Sequence, residues 1–183
     1  TARYDGAIAT FLGGREGFPD LLTLQFEKVD DLRYGENPHQ KGAAYRSSAR
    51  TAPSVAHAEF LGGKELSYNN LLDLDSALEL SRELRQTACV IVKHNNPCGA
   101  GCAETPADAF RKALEGDRVS AYGGLLAFNT TVDAAAAELI AVKENFFEGI
   151  VAPQFARGVL DILRERTKWG GNLRVLEAGS PPV

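Results

Sequence analysis

The chain has 183 residues, 44% hydrophobic and 24% charged, with 20 Lys and Arg against 24 Asp and Glu for a formal charge of −4. This balance suits one globular domain with a buried core and speaks against nucleic acid or an anionic membrane as partner; no apolar run is long enough to cross a bilayer. Three cysteines, Cys89, Cys98 and Cys102, form no disulfide framework and suit a reducing compartment, so the expectation is a cytoplasmic protein. Methionine is absent and the chain opens on "TARYDGAIATFL", which suggests a fragment or a processed product.

In chain order, "YDGAIATFL" sets Ile8, Phe11 and Leu12 on one helical face and breaks at Gly13-Gly14, the end of a preceding unit followed by a linker. Leu22, Leu24 and Phe26 alternate as in a strand, and "GAAYR", 42–46, is a second short one. The loop "LGGKELSYNN" leads into a helix expected from about Leu71 to Arg85, with Asp73 and Asp75 near its positive end. "ACVIV", 88–92, is continuously apolar and β-branched, the mark of a strand covered on both faces. Thr105-Pro106 starts a helix that Gly116 stops. "AYGGLLAFN" reads as a strand, Asp133 as the cap of an Ala-rich helix, "GIVAP" as a strand, "FARGVLDILRERTK" as a helix and "NLRVL" as a last strand. Helices alternating with apolar strands predict an α/β fold with helices on both faces of the sheet.

Chemistry concentrates where "ACVIV" runs out into "KHNNPCGAG". Ligands of α/β sheets bind beyond strand ends, a histidine acts as a base near neutral pH, and a lysine ammonium stabilises developing negative charge. The bland alternative has Lys93 extended to solvent at the strand end and His94 bonded to loop backbone. His94, Cys98 and Cys102 at spacings of four resemble the zinc deaminase signature of H-x-E with P-C-x-x-C, but the cysteines are one residue too far apart and no Glu follows His94 by two. Glycines 99 and 101 argue for a loop there. "LRYGENPHQ" gathers Arg33, Tyr34 and His39; an arginine in such a loop suits a phosphate or carboxylate, and a surface turn at Asn37-Pro38 is the alternative. "LGGKELSYNN" has close-approach glycines without P-loop spacing. Tyr122, Gly123 and Glu148 fall at strand ends, and Trp169 reads as packing.

"LRYGENPHQ", "LGGKELSYNNLLDLDSAL", "VIVKHNNPCGAG", "SAYGGLLAFN" and "FFEGIVAP" follow one another as in a known family. Over nearly its whole length the chain strongly resembles the bifunctional purine-biosynthesis enzymes that are both AICAR transformylase and IMP cyclohydrolase. The resemblance implies transfer of a formyl group from the co-substrate 10-formyltetrahydrofolate to the 5-amino group of AICAR, in the formation of IMP. It implies His94 as the base and Lys93 as the charge stabiliser, with Arg33, Tyr34, Asn70, Tyr122, Gly123 and Glu148 at substrate-contact positions. Family members carry aspartate where this chain has Glu148, and phenylalanine also occurs at the position of Tyr122. The implied architecture is a three-layer α/β/α, cytidine deaminase-like mixed sheet without the deaminase zinc or any other metal. Residues 1–15 would be the tail of the cyclohydrolase unit with its linker, and 16–183 the first of two transformylase subdomains, the second lying outside the chain. Family enzymes are homodimers with transformylase sites between chains. Two other readings stay open: a zinc-dependent deaminase-like hydrolase, and a non-catalytic nucleotide-binding module.

Overall fold

The structure, a computed structural model, describes residues 1–13, 18, 22–47 and 53–179. The helix break at Gly14, the expected domain boundary after residue 15, and the last four residues of the closing "EAGSPPV" lie outside the described residues. The chain belongs to the α/β class. Its main sheet has six strands in the order β3 (Glu59–Gly62), β8 (Arg174–Glu177), β7 (Phe147–Ala152), β6 (Gly124–Phe128), β4 (Thr87–Lys93), β5 (Asn96–Ala103). The β6-β7 and β7-β8 pairs are parallel and the others antiparallel, so the sheet is mixed.

Alternation along these strands feeds two separate cores. Val90, Val92, Leu125, Ala127, Val151 and Leu176 pack with Leu74, Ala77 and Leu78 of α2 (Tyr68–Glu83). Their neighbours Cys89, Ile91, Leu126, Phe128, Ile150 and Val175 face α3 (Pro106–Gly116), α5 (Ala134–Ile140) and α6 (Val159–Glu165) through Phe110, Ala113, Ile140 and Leu163. Side chains of a strand alternate faces, so a strand covered on both sides reads as a continuous apolar run. The result is three layers, α/β/α.

Local signals place the helix starts. Thr105 Oγ1 accepts the Asp108 N–H at 3.1 Å with Pro106 at the first helical position, and Asp133 Oδ1 accepts the Ala136 N–H at 2.8 Å. The first helix of the body begins three residues before the expected Leu71, because Ser67 and Asn70 form a capping box. α6 is shorter than the expected 155–168. Residues 154–156 are drawn into a bridge with Val132 instead (Val132 N–H to Gln154 O at 3.0 Å, Ala156 N–H to Val132 O at 2.9 Å), and the helix starts after Gly158. The predicted "AYGGLLAFN" strand is confined to Gly124–Phe128, after a short helix α4 (Arg118–Ala121).

Three expectations fail for physical reasons. Residues 22–25 form no strand; β1 (Phe26–Leu32) lies on the polar stretch after them and pairs with β2 (Gly42–Ser47) as a separate, mostly exposed two-stranded ribbon, where neither face is covered enough to demand alternation. β3 falls where a loop was expected. Most tellingly, residues 96–103 are not a loop but the edge strand β5, antiparallel to β4. Pro97 is tolerated there because one side of an edge strand needs no ladder donor. Gly99 and Gly101 serve close packing: a Cβ at Gly99 would lie 1.9 Å from Ala113 O, and one at Gly101 2.3 Å from Ala109 O, so α3 rests directly on strand backbone. α1 (Ala2–Leu12) forms as expected, but Phe11 and Leu12 stay exposed at 76% and 75%.

Candidate active site

Strand β4 ends at Lys93, and Lys93 pairs with Asn96 across a two-residue turn, His94-Asn95. Both turn residues have positive φ, 53° and 60°, as a type I′ hairpin turn requires. Such a turn keeps the chain compact at the sheet's end and leaves the His94 side chain exposed; among the described residues its ring makes no hydrogen bond. Lys93 is half-buried and its Nζ donates to Tyr122 O at 2.7 Å, leaving two ammonium protons free for a ligand. Gly123 follows with φ +80°, and its N–H donates to Phe146 O at 2.7 Å, so the Tyr122-Gly123 bend is held on both sides. Tyr122 itself is 58% exposed, its ring 5.2 Å from that of Phe146.

The turn is anchored from α2. Asp73, buried at 7% exposure, accepts the His94 N–H through Oδ2 at 3.1 Å and the Asn95 N–H through Oδ1 at 2.7 Å. Ser76, one turn further along, donates its hydroxyl to Asn95 Oδ1.

A second group of the predicted residues surrounds the first turn of α2. Asn70 is buried: its Oδ1 accepts from the Ser67 N–H at 3.1 Å and Ser67 hydroxyl at 2.9 Å, and its Nδ2 donates to Glu148 Oε2 at 3.2 Å. The "RYGENPHQ" loop docks on the same turn. Arg33 N–H donates to Leu66 O, Tyr68 N–H to Tyr34 O, and Asn69 Nδ2 to Glu36 O. The Arg33 guanidinium lies 5.6 Å over the Tyr34 ring and is otherwise exposed.

Arg174, at the start of β8, ties the group together, although in the sequence it reads only as part of the strand "NLRVL". Its Nε donates to Glu65 O at 3.0 Å and Nη1 to Glu148 O at 3.3 Å, with Glu148 Oε2 at 3.5 Å. Burial pushes this guanidinium below its ordinary value while the Glu148 carboxylate pulls it back up; Arg33 and Tyr34 are near enough to contribute. A charged residue inside an apolar strand is itself the signal that could have found it, since a buried charge needs partners.

The eight predicted residues thus form two clusters on one end of the sheet, Lys93, His94, Tyr122 and Gly123 in one, and Arg33, Tyr34, Asn70 and Glu148 in the other. They are linked by α2, whose buried Asn70 and Asp73 stand one turn apart on the same face. This end holds the carboxyl end of β4 but the amino ends of β6, β7 and β8, because β4 runs antiparallel to β6. The glycines of "LGGKELSYNN" pack against the chain itself: a Cβ at Gly62 would lie 2.7 Å from Arg164 Nη2. Gly63 has φ +111° and a Cβ there would lie 2.1 Å from Leu173 O, so the close approach is to the chain itself.

Of the cysteines, Cys89 lies away from this chemistry, whereas Cys98 lies next to Lys93. Cys89 is fully buried in the core, and its thiol is pushed far up by burial. Cys98, on β5, packs against the core under α3; burial and then Asp117 raise its thiol, with Lys93 pulling the other way. Among the described residues no group of three His, Cys, Asp or Glu side chains could hold a metal ion. No described helix is long and apolar enough to cross a membrane.

The AICARFT/IMPCHase bienzyme family model matches residues 1–182. Proteins called bifunctional purine biosynthesis protein PurH are similar throughout. That of Sorangium cellulosum is 46% identical over 98% of this chain and 36% of its own length. Those of Halalkalibacterium halodurans and Myxococcus xanthus are 48% and 49% identical, over 96% and 98% of this chain and 34% of their own lengths. The chain therefore spans about a third of the relatives it matches.

Proposed function

Since this chain belongs to the AICARFT/IMPCHase bienzyme family, we propose that it carries the Lys93–His94 half of an AICAR formyltransferase site within a longer protein that is also an IMP cyclohydrolase. The 5-amino group of AICAR attacks the formyl carbon of 10-formyltetrahydrofolate. The amine is a weak nucleophile, its lone pair delocalised into the ring and carboxamide, so its proton must leave as attack proceeds. His94 takes that proton while the Lys93 ammonium faces the oxyanion of the tetrahedral intermediate. Collapse breaks the bond to N10, which leaves as the amine of tetrahydrofolate with a proton returned to it. Arg33 receives the anionic part of the nucleotide beside Tyr34; Asn70, Glu148 and the Tyr122-Gly123 bend contact the rest.

The observation that supports this reading is the common end of the sheet. An ammonium with two protons free and an imidazole without a hydrogen bond, among the described residues, sit in one cluster, and an exposed guanidinium sits in the other, on the same helix-anchored frame. Residues 16–183 act in this reading as one subdomain of two, in a cytoplasmic homodimer with sites completed by the remaining chain. Neither nucleic acid nor membrane nor metal has a part in it.

The test uses the full-length protein. Formyl transfer from 10-formyltetrahydrofolate to AICAR is expected, and Lys93→Met should lower kcat by roughly 100-fold, the size of a lost oxyanion partner. Calorimetric binding of AICAR without any turnover would favour the non-catalytic module. Stoichiometric zinc in protein purified without chelator, with deamination in place of formyl transfer, would favour the hydrolase.

A further inference from the structure

The backbone at His94 is held in a conformation that most non-glycine residues avoid. His94 and Asn95 both occupy the left-handed region, φ 53° and 60°, and neither is glycine, the residue that usually makes such turns easy. The outward N–H groups of a two-residue turn have no partner in the strand ladder and turn to solvent or to a side chain instead. Here both find the same side chain: Asp73 Oδ2 takes the His94 N–H at 3.1 Å and Oδ1 the Asn95 N–H at 2.7 Å. The carboxylate is buried, on the face of α2 that packs against the sheet, and the neighbouring Leu74 and Ala77 are fully buried. Its position is thus fixed by the core rather than by solvent. Ser76 and the Asn96 side chain, which donates to His94 O at 3.0 Å, hold the rest of the turn. No other charged side chain bonds to the turn among the described residues.

We propose that Asp73 is a positioning residue for His94: it clamps both turn amides and so fixes where the imidazole is presented. The inference rests on the reading of His94 as the base. Asp73 touches no substrate and takes no proton; it acts through the turn backbone. Only a carboxylate offers two acceptor oxygens to two adjacent N–H groups at once. An asparagine would turn its NH2 toward one of them.

The experiment uses the full-length protein and three variants, Asp73→Asn, His94→Ala and Asp73→Asn with Asn95→Gly. Asp73→Asn should lower kcat by roughly 30-fold while the KM for AICAR moves by less than about threefold, because the base is displaced and nucleotide binding is not. Glycine at 95 favours the left-handed turn without the clamp, so the double variant should recover roughly half of that loss on a logarithmic scale. A normal kcat in Asp73→Asn beside an inactive His94→Ala overturns this proposal and leaves the function standing. Full activity in both overturns the function itself, and this proposal with it. A loss that only follows the unfolded fraction, with no recovery in the double variant, assigns Asp73 a merely structural part and also overturns it. If Asp73→Asn does not fold, amide hydrogen exchange in the unmodified protein decides: protection at His94 and Asn95 supports the clamp, and exchange at solvent-like rates refutes it.

Discussion

Replacing Gly99 by alanine tests how the hairpin that carries His94 is held in the sheet. Gly99 has an ordinary strand φ, so no backbone strain arises from a side chain; the conflict is one of space. The new Cβ would stand 1.9 Å from Ala113 O and 2.9 Å from its carbonyl carbon, where ordinary contact begins at 3.4 Å. The atom it meets is helix backbone, so no side chain can swing aside, and α3 and β5 must part by about 1.5 Å. Parting them opens gaps around Phe110 and Ala113, both within 1% exposure. Overpacking of this kind costs about 3 kcal/mol at the upper end of its usual range, which for a domain of this size lowers Tm by roughly 6–12 °C. Thermal unfolding followed by circular dichroism measures it. Gly171→Ala is the control: nothing lies within 4 Å of a Cβ there, so its change should stay within about 0.5 kcal/mol. A Gly99→Ala protein as stable as the control would refute the claim that α3 rests on bare strand backbone.

Arg174→Lys should destabilise the protein by about 2 kcal/mol, because an ammonium cannot reach Glu65 O and Glu148 O together as the guanidinium does; urea unfolding with no change in midpoint would count against a stabilising role for these two bonds. Asp133→Ala should cost about 1 kcal/mol through loss of the α5 cap, seen in the same assay. Asp75 lies exposed on α2, yet partial desolvation by its neighbours, with Glu79 second, raises its carboxyl above the ordinary value of 3.8. The folded state therefore holds that proton more tightly than the unfolded chain, and the charged form is a liability above the folded value. Asp75→Asn should raise Tm at pH 7, with the advantage shrinking as pH falls toward 3.8; an advantage that grows on acidification would contradict the sign.

The fold was legible wherever burial on both faces wrote itself into the chain. Strand β4, the body of α2, and the caps of α3 and α5 follow from apolar runs and from Thr and Asp at helix starts. What could not be read was anything set by a distant neighbour. Gly99 and Gly101 look like a loop unless α3 is known to lie on them, and the β1-β2 ribbon has no covered face to impose a pattern. The site divides in the same way. Lys93 and His94 announced themselves by interrupting a buried strand. Asp73 did not: an acid in the first turns of a helix reads as a dipole partner, and nothing local reveals that its two oxygens meet amides 21 and 22 residues away. The final order of the motifs identified the family, whereas the tie from Asn70 to Glu148 and Arg174 needed the packed sheet.

The central claim is that His94 is the base of formyl transfer, and the most direct measurement is the rate of formyl transfer to AICAR by the full-length His94→Ala protein, at saturating 10-formyltetrahydrofolate, beside its calorimetric affinity for AICAR. The account predicts a kcat lower by roughly 100- to 10,000-fold, the usual contribution of a positioned base, with AICAR still bound. A normal rate would contradict it.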